Sequence, residues 1–192
     1  MTEPRERVLE AAYACVARFG MGKTTIDDVA KESGVSRASI YRLFPGGKDQ
    51  LLRETVGWEM NRFFVRLAEN VYDAPDFATL LERGLVFAHR SLMEHEVLQK
   101  VLVTEPDRLL PRLTVEQHRV VHFIHAFLVP YLEREREEGR LRPGVDVDQA
   151  ADYVARMVLS LIASPGRWDM DDQAAVHDLV SAELVGGILA PT

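Results

Sequence analysis

An all-α fold is predicted for this 192-residue chain by three features. Apolar residues recur three and four apart over long stretches, the spacing of a helix with one buried side. Gly, Pro and cap-type residues fall between those stretches, where helices start and stop. No run alternates apolar and polar residues as a half-buried strand does, and no internal repeat or low-complexity segment interrupts the pattern. With 47% hydrophobic residues the chain can bury a substantial core, as one large domain or as a small domain joined to a larger one.

The first helix is RERVLEAAYACVARFG, with Val8, Leu9, Ala12, Val16 and Phe19 at helical spacing. Cys15 lies beside that stripe; as the single cysteine it excludes an internal disulfide and reads as a buried structural thiol. Thr24 and Thr25 can cap a second helix whose first turn carries Asp27 and Asp28, the favourable sign for a helix N-terminus. Val29 and Ala30 fall on its inner side, Ala30 small enough for a close crossing, and Gly34 ends it. Ser36 caps a third helix. There Ile40, Leu43 and Phe44 share one face, while Arg37, Ala38, Tyr41 and Arg42 share the other. Two arginines, a tyrosine and a methyl group on one outward face suit a DNA major groove, with Arg37 and Ala38 at base edges. Tyr41, Lys48, Thr25 and Ser36 are then placed on phosphates, and Arg42 fits either role. Taken alone, the hairpin also fits a surface pair of helices with ordinary solvated charges.

From Lys48 a long helix is expected to reach about Tyr72, stopping near Asp73-Ala-Pro75. Another spans Phe77 to about Met93, and a short one about 95–104. Pro106 and Pro111 bracket an expected loop, after which Thr114-Val-Glu-Gln117 reads as a capping box opening a helix to about Glu138. The charged run Glu133–Glu138 reads as a solvated face. Asp146 opens a helix to about Ser164, and the last helix is expected from about Asp171 to Leu189. In these two helices polar residues are confined to narrow stripes. Val154, Met157 and Leu161 form one apolar face, and Val176, Val180 and Leu184 another. Such wide apolar coverage points to a partner chain on one side, against the plainer reading of two central core helices.

Charge is uneven along the chain. The net charge is −7, yet residues 1–53 carry nine Lys/Arg against seven Asp/Glu, leaving −9 on the remainder. From Ser36 to Lys48 inclusive there are three basic residues and no acidic one. A positive tip on an acidic body fits contact with DNA at one end only. The start MTEPRERV lacks the apolar stretch of a signal peptide and no run is long enough to span a bilayer, so a cytoplasmic protein with no membrane partner is expected.

His118, His122 and His125 lie four and three apart on one helical stripe. Histidines at that spacing can share a metal, so an all-α metal-dependent enzyme, or a helical small-molecule carrier, is the alternative class. No carboxylate or cysteine accompanies them on the stripe, and no phosphate loop, nucleophile elbow or zinc-protease spacing occurs. The reading adopted is therefore no metal, no cofactor and no catalysis.

Residues 5–52 resemble the N-terminal domain of the TetR family of bacterial transcriptional regulators. The likeness is carried by the first helix, by TTIDDVAKESGVS and SIYRLF at their spacing, and by Lys48 and Leu51 opening a fourth helix. Ser39 stands where that family commonly has Thr, and Phe44-Pro-Gly-Gly-Lys48 has one residue more than is usual there. The resemblance implies a helix-turn-helix domain over 1–47 and an effector-binding and dimerisation domain over 48–192. It implies operator DNA held by Lys23, Thr25, Ser36, Arg37, Ala38, Ser39, Tyr41, Arg42 and Lys48. It further implies a homodimer through the C-terminal helices, including Val154, Met157, Leu161, Val176, Val180 and Leu184. A small, largely apolar effector, held among Trp58, Phe63, Phe87, His122, Phe123 and Phe127, would release a repressor from its operator.

Overall fold

Local signals in the sequence set most of the helix boundaries in the computed structural model, which describes residues 3–190 and, of residues 112–117, the main chain alone. The helices are α1 (Pro4–Phe19), α2 (Ile26–Ser33), α3 (Arg37–Leu43), α4 (Gly47–Val71) and α5 (Phe77–Met93). They continue with α6 (Glu96–Thr104), α7 (Pro106–Glu137), α8 (Val147–Ala163) and α9 (Gln173–Asp178), the last running into a π-helical turn, Leu179–Leu184. Asp76 caps α5 by accepting from the Thr79 N–H at 2.7 Å, and Asp146 caps α8 through the Gln149 N–H at 2.9 Å. Among the described residues the one β-type contact is an antiparallel bridge between Leu141 and Leu189.

The chain divides into two compact units, Met1–Arg66 with His95–Leu113, and Leu67–Glu94 with Thr114–Thr192. In the first, Val8, Ala12 and Cys15 of α1 pack with Val29 of α2, Ile40 and Phe44 around α3, and Leu51 of α4. Full burial of side chains such as Ile40 and Phe44 stabilises by about 1.5–3 kcal/mol each. Burial also pushes the Cys15 thiol up from its ordinary pKa, consistent with a structural role. A second cluster joins Val16, Met21 and Leu52 to Val101 of α6 and Leu109 of α7. Residues far along the chain are thus part of the unit that carries α1–α3.

In the second unit α5 packs on α8 and on the last helical segment. Its core includes Phe77 and Leu85 of α5, Val154 and Leu161 of α8, and Val176, Val180 and Leu184.

Four sequence expectations need correction. The loop expected at 106–111 is helical, because Pro106 occupies the first turn, where no helical N–H is needed, and Leu109 is drawn into the core. The main chain is helical through 114–117, so no helix begins there; the side chains of the expected cap box lie outside the described residues. The charged run is not all solvated. Glu135 is 3% exposed, accepts from the Phe77 N–H at 3.2 Å and from two nitrogens of Arg140, and so ties α7 to the start of α5. The last helix does not reach Leu189. The Val185 N–H reaches back to the Val180 carbonyl, and at Gly186 a Cβ would lie 2.8 Å from the Ala182 carbonyl oxygen, so the chain turns there. It then pairs with 140–142 through Arg142 N–H to Ile188 and Ala190 N–H to Arg140.

Candidate nucleic-acid interface

Two cap motifs set the geometry of the α2–α3 hairpin. The Asp28 N–H donates to the Thr25 hydroxyl at 3.2 Å, and Thr25 returns its own N–H and O–H to the Asp28 carboxylate at 2.9 and 2.6 Å. Those two bonds to its ionised form hold the Asp28 carboxyl below the ordinary aspartate value. Gly34 takes the left-handed conformation, φ 68°, that closes α2. Ser36 then caps α3 by accepting from the Ser39 N–H at 3.2 Å and donates to the Ser39 hydroxyl at 3.1 Å. With Ile40 and Phe44 buried on the inner side, Arg37, Ala38, Tyr41 and Arg42 face outward and exposed.

The outward groups are not all equally free. Arg37 pairs with Asp27 of α2 at 2.9 Å. Arg42 rests on the Ser39 hydroxyl at 3.5 Å. Lys48 donates to the Gly22 carbonyl at 2.7 Å. Both donors of Thr25 are spent on Asp28, so a phosphate at Thr25 would have to displace that carboxylate. Lys23 is exposed in the turn between α1 and α2. The added residue in Phe44-Pro-Gly-Gly-Lys48 is absorbed by a turn in which the Gly47 N–H bonds the Phe44 carbonyl at 2.9 Å, with Gly47 at φ 64°.

One supporting group is far away in sequence. Glu105, at the α6–α7 junction, accepts from the Gly22 N–H at 2.6 Å. Gly22 is therefore held through its N–H by a carboxylate and through its carbonyl by Lys48, one residue before Lys23. Lys100 adds a bond to the Ala17 carbonyl at 2.7 Å. The signal that could have found this contact is the apolar stripe Val97, Leu98, Val101 and Leu102, which has no partner in a reading confined to neighbouring helices.

The residues expected to hold an effector are divided between the units. Trp58 and Phe63 lie in the first, where Trp58 packs against the α1–α3 core, meets Tyr13 edge-on and carries Arg62 over its ring at 4.7 Å. Phe87, His122, Phe123 and Phe127 lie in the second; Phe127 touches Tyr131, and Phe123 is 45% exposed. An open groove of about 380 Å³ at the start of α8, lined by Val145, Tyr153, Glu183, Leu184 and Ile188 among others, includes none of the six. Of the histidine stripe, His122 and His125 stack at 6.4 Å and His125 meets Asp148 at 3.3 Å. Among the described residues no three His, Cys, Asp or Glu side chains come together as metal ligands.

The six side chains expected at a dimer interface are otherwise engaged. Val154, Leu161, Val176, Val180 and Leu184 are buried inside the single chain and Met157 is half-buried. Of the apolar residues on α8, Tyr153 is exposed and Met157, Leu159 and Ile162 are half-buried.

Residues 8–55 match the family model for bacterial regulatory proteins of the tetR family. An uncharacterized HTH-type transcriptional regulator of Mycobacterium tuberculosis is 41% identical over 186 residues, covering 92% of this chain and 90% of that protein. The HTH-type transcriptional repressor KstR2 of the same organism is 31% identical over 152 residues, covering 75% of this chain and 72% of its own. Among solved structures, the complex of SmeT with triclosan superposes with a TM-score of 0.61 at 22% identity, covering 97% of this chain and 92% of that one. SmeT is the repressor of the Stenotrophomonas maltophilia multidrug efflux pump SmeDEF. At that identity the likeness is one of fold. No helix among the described residues is long and apolar enough to cross a membrane.

Proposed function

The chain belongs to the tetR family of bacterial regulatory proteins, DNA-binding helix-turn-helix regulators, and from that premise we propose that it is a homodimeric repressor released from its operator by a small effector. The observation that carries the DNA reading is the division of α3, which buries Ile40 and Phe44 and turns Arg37, Ala38, Tyr41 and Arg42 outward. Arg37 and the Ala38 methyl read base edges; Tyr41, Lys48, Lys23 and the serines at 36 and 39 hold the backbone. A two-fold dimer would present two such faces about 34–36 Å apart, one turn of DNA. Functionally, residues 1–47 form the reading head and 48–192 the body.

Family membership supports the dimer, with the partner meeting the outer sides of α8 and α9, where Tyr153, Arg156, Ser160 and Ala174 are exposed. The effector reading rests on membership of the family and on the aromatic and imidazole groups of the second unit, Phe87, His122 and Phe127. A chain of the same fold, SmeT, is known with triclosan bound. An effector acts only if it prefers one of two conformations of the body, and operator DNA must weaken its binding by the same factor.

Selection from a pool of random duplexes tests the proposal. An inverted repeat with half-sites one turn apart is expected to be enriched, and Tyr41→Ala should abolish the enrichment. Enrichment of no sequence, or unchanged enrichment by Tyr41→Ala, would refute the reading head. A thermal-shift screen followed by operator release in a gel tests the effector, and a compound that stabilises the protein without moving operator affinity at saturation would not be one.

A further inference from the structure

Two consecutive aspartates open α2, and the structure gives them different work. Asp28 turns back to Thr25 in the cap. Asp27 turns forward to α3, where its carboxylate lies 2.9 Å from the Arg37 guanidinium, with Asp27 63% and Arg37 59% exposed. No acidic residue lies between Ser36 and Lys48, so Asp27 brings a negative charge onto the reading face from the preceding helix.

That charge acts on Arg37 in two ways. It gives one guanidinium nitrogen a partner on the preceding helix, which biases the fork toward directions that leave its other N–H groups free for a base edge. It also offsets part of the attraction of Arg37 for a phosphate, modestly because the pair is exposed. A base edge such as the O6/N7 pair of guanine rewards the oriented fork without adding a formal charge. A phosphate in the same place would face the Asp27 carboxylate. We infer that Asp27 is a specificity-determining residue: it positions Arg37 for base edges and, by repulsion, keeps it off the backbone of unrelated DNA. This rests on the reading that Arg37 contacts bases.

Binding of the full-length protein to the selected operator and to a random duplex, followed by fluorescence anisotropy over a range of salt, tests the inference. Asp27→Asn should tighten random binding roughly three- to tenfold and steepen its salt slope by about 0.9, the value of one further neutralised phosphate. The operator-to-random ratio should fall at least as far. Asp27→Glu, which keeps the charge, should keep the wild-type salt slope on random DNA. In an Arg37→Ala background, Asp27→Asn should leave the ratio unchanged, since there is no arginine to direct. Equal effects of Asp27→Asn on operator and random DNA, or the same effect with and without Arg37, would overturn the role of Asp27. If Arg37→Ala alone leaves the ratio intact, the base-reading assignment itself fails, and this proposal with it. Melting curves of the variants separate either result from loss of fold.

Discussion

Thr25 and Asp28 exchange three hydrogen bonds within four residues, which is why the start of α2 is legible from sequence. Caps are local, and so is Gly34 at its end. The Asp27–Arg37 pair is not legible in that way, because it exists only once α3 has crossed α2. The cap carries a pH dependence. The folded Asp28 carboxyl sits below the ordinary aspartate value, held there by its bonds to the Thr25 hydroxyl and N–H. Its contribution to stability is therefore complete above that ordinary value and disappears as pH falls through the lower, folded one. Urea unfolding at a series of pH values should show Asp28→Asn with a shallower acid limb than the wild type; parallel limbs would dissociate Asp28 from acid sensitivity. Ser36→Ala removes the cap of α3 and should cost about 1 kcal/mol in the same measurement.

Among the elements, α4 and α5 stand close to where hydrophobic spacing and the Asp73-Ala-Pro75 break put them. α7 does not, because tertiary packing, not the prolines at 106 and 111, decides its course. Leu109 is buried with Val16 and Met21 of the first unit, and a helix that gains such burial can forfeit a main-chain hydrogen bond at Pro111. The junction before α7 is the point at which a distant segment grips the reading head. Glu105→Ala would leave the half-buried Gly22 N–H without its acceptor, at a cost of about 1–3 kcal/mol. Faster amide exchange at Gly22, together with weaker operator binding, is the expected result. Gly20→Ala approaches the same junction from the other side. At φ 85° and ψ 166°, a region essentially reserved for glycine, a side chain is strained by about 1–3 kcal/mol before its Cβ meets the Glu105 carboxylate, so a clear loss of thermal stability is expected.

At the scale of the whole molecule, the all-α class was legible in periodicity alone, and the surplus of basic over acidic residues in 1–53 in composition. A partner surface is harder to read, since an apolar stripe looks the same whether it faces its own chain or another. Leu161 and Val180 decide the matter by experiment. Both are buried in the second unit, so Leu161→Glu or Val180→Asp places an unpaired charge in its core, at several kcal/mol. Loss of helical signal is expected. A well-folded monomer in sedimentation would instead return these residues to the interface. Arg156→Glu on the exposed side should leave the fold intact and shift the monomer–dimer balance.

The solitary cysteine offers a different kind of access to this molecule. Cys15 is 1% exposed and lies in the core shared by α1, α2 and α3, while the second unit has no thiol at all. A thiol reagent can reach it only when that core opens, so the rate of labelling is a clock for breathing of the reading head alone. No engineered probe is needed. Bound operator should slow the clock by the factor with which it favours the closed state, and an effector that works by releasing DNA should return it to its unbound rate.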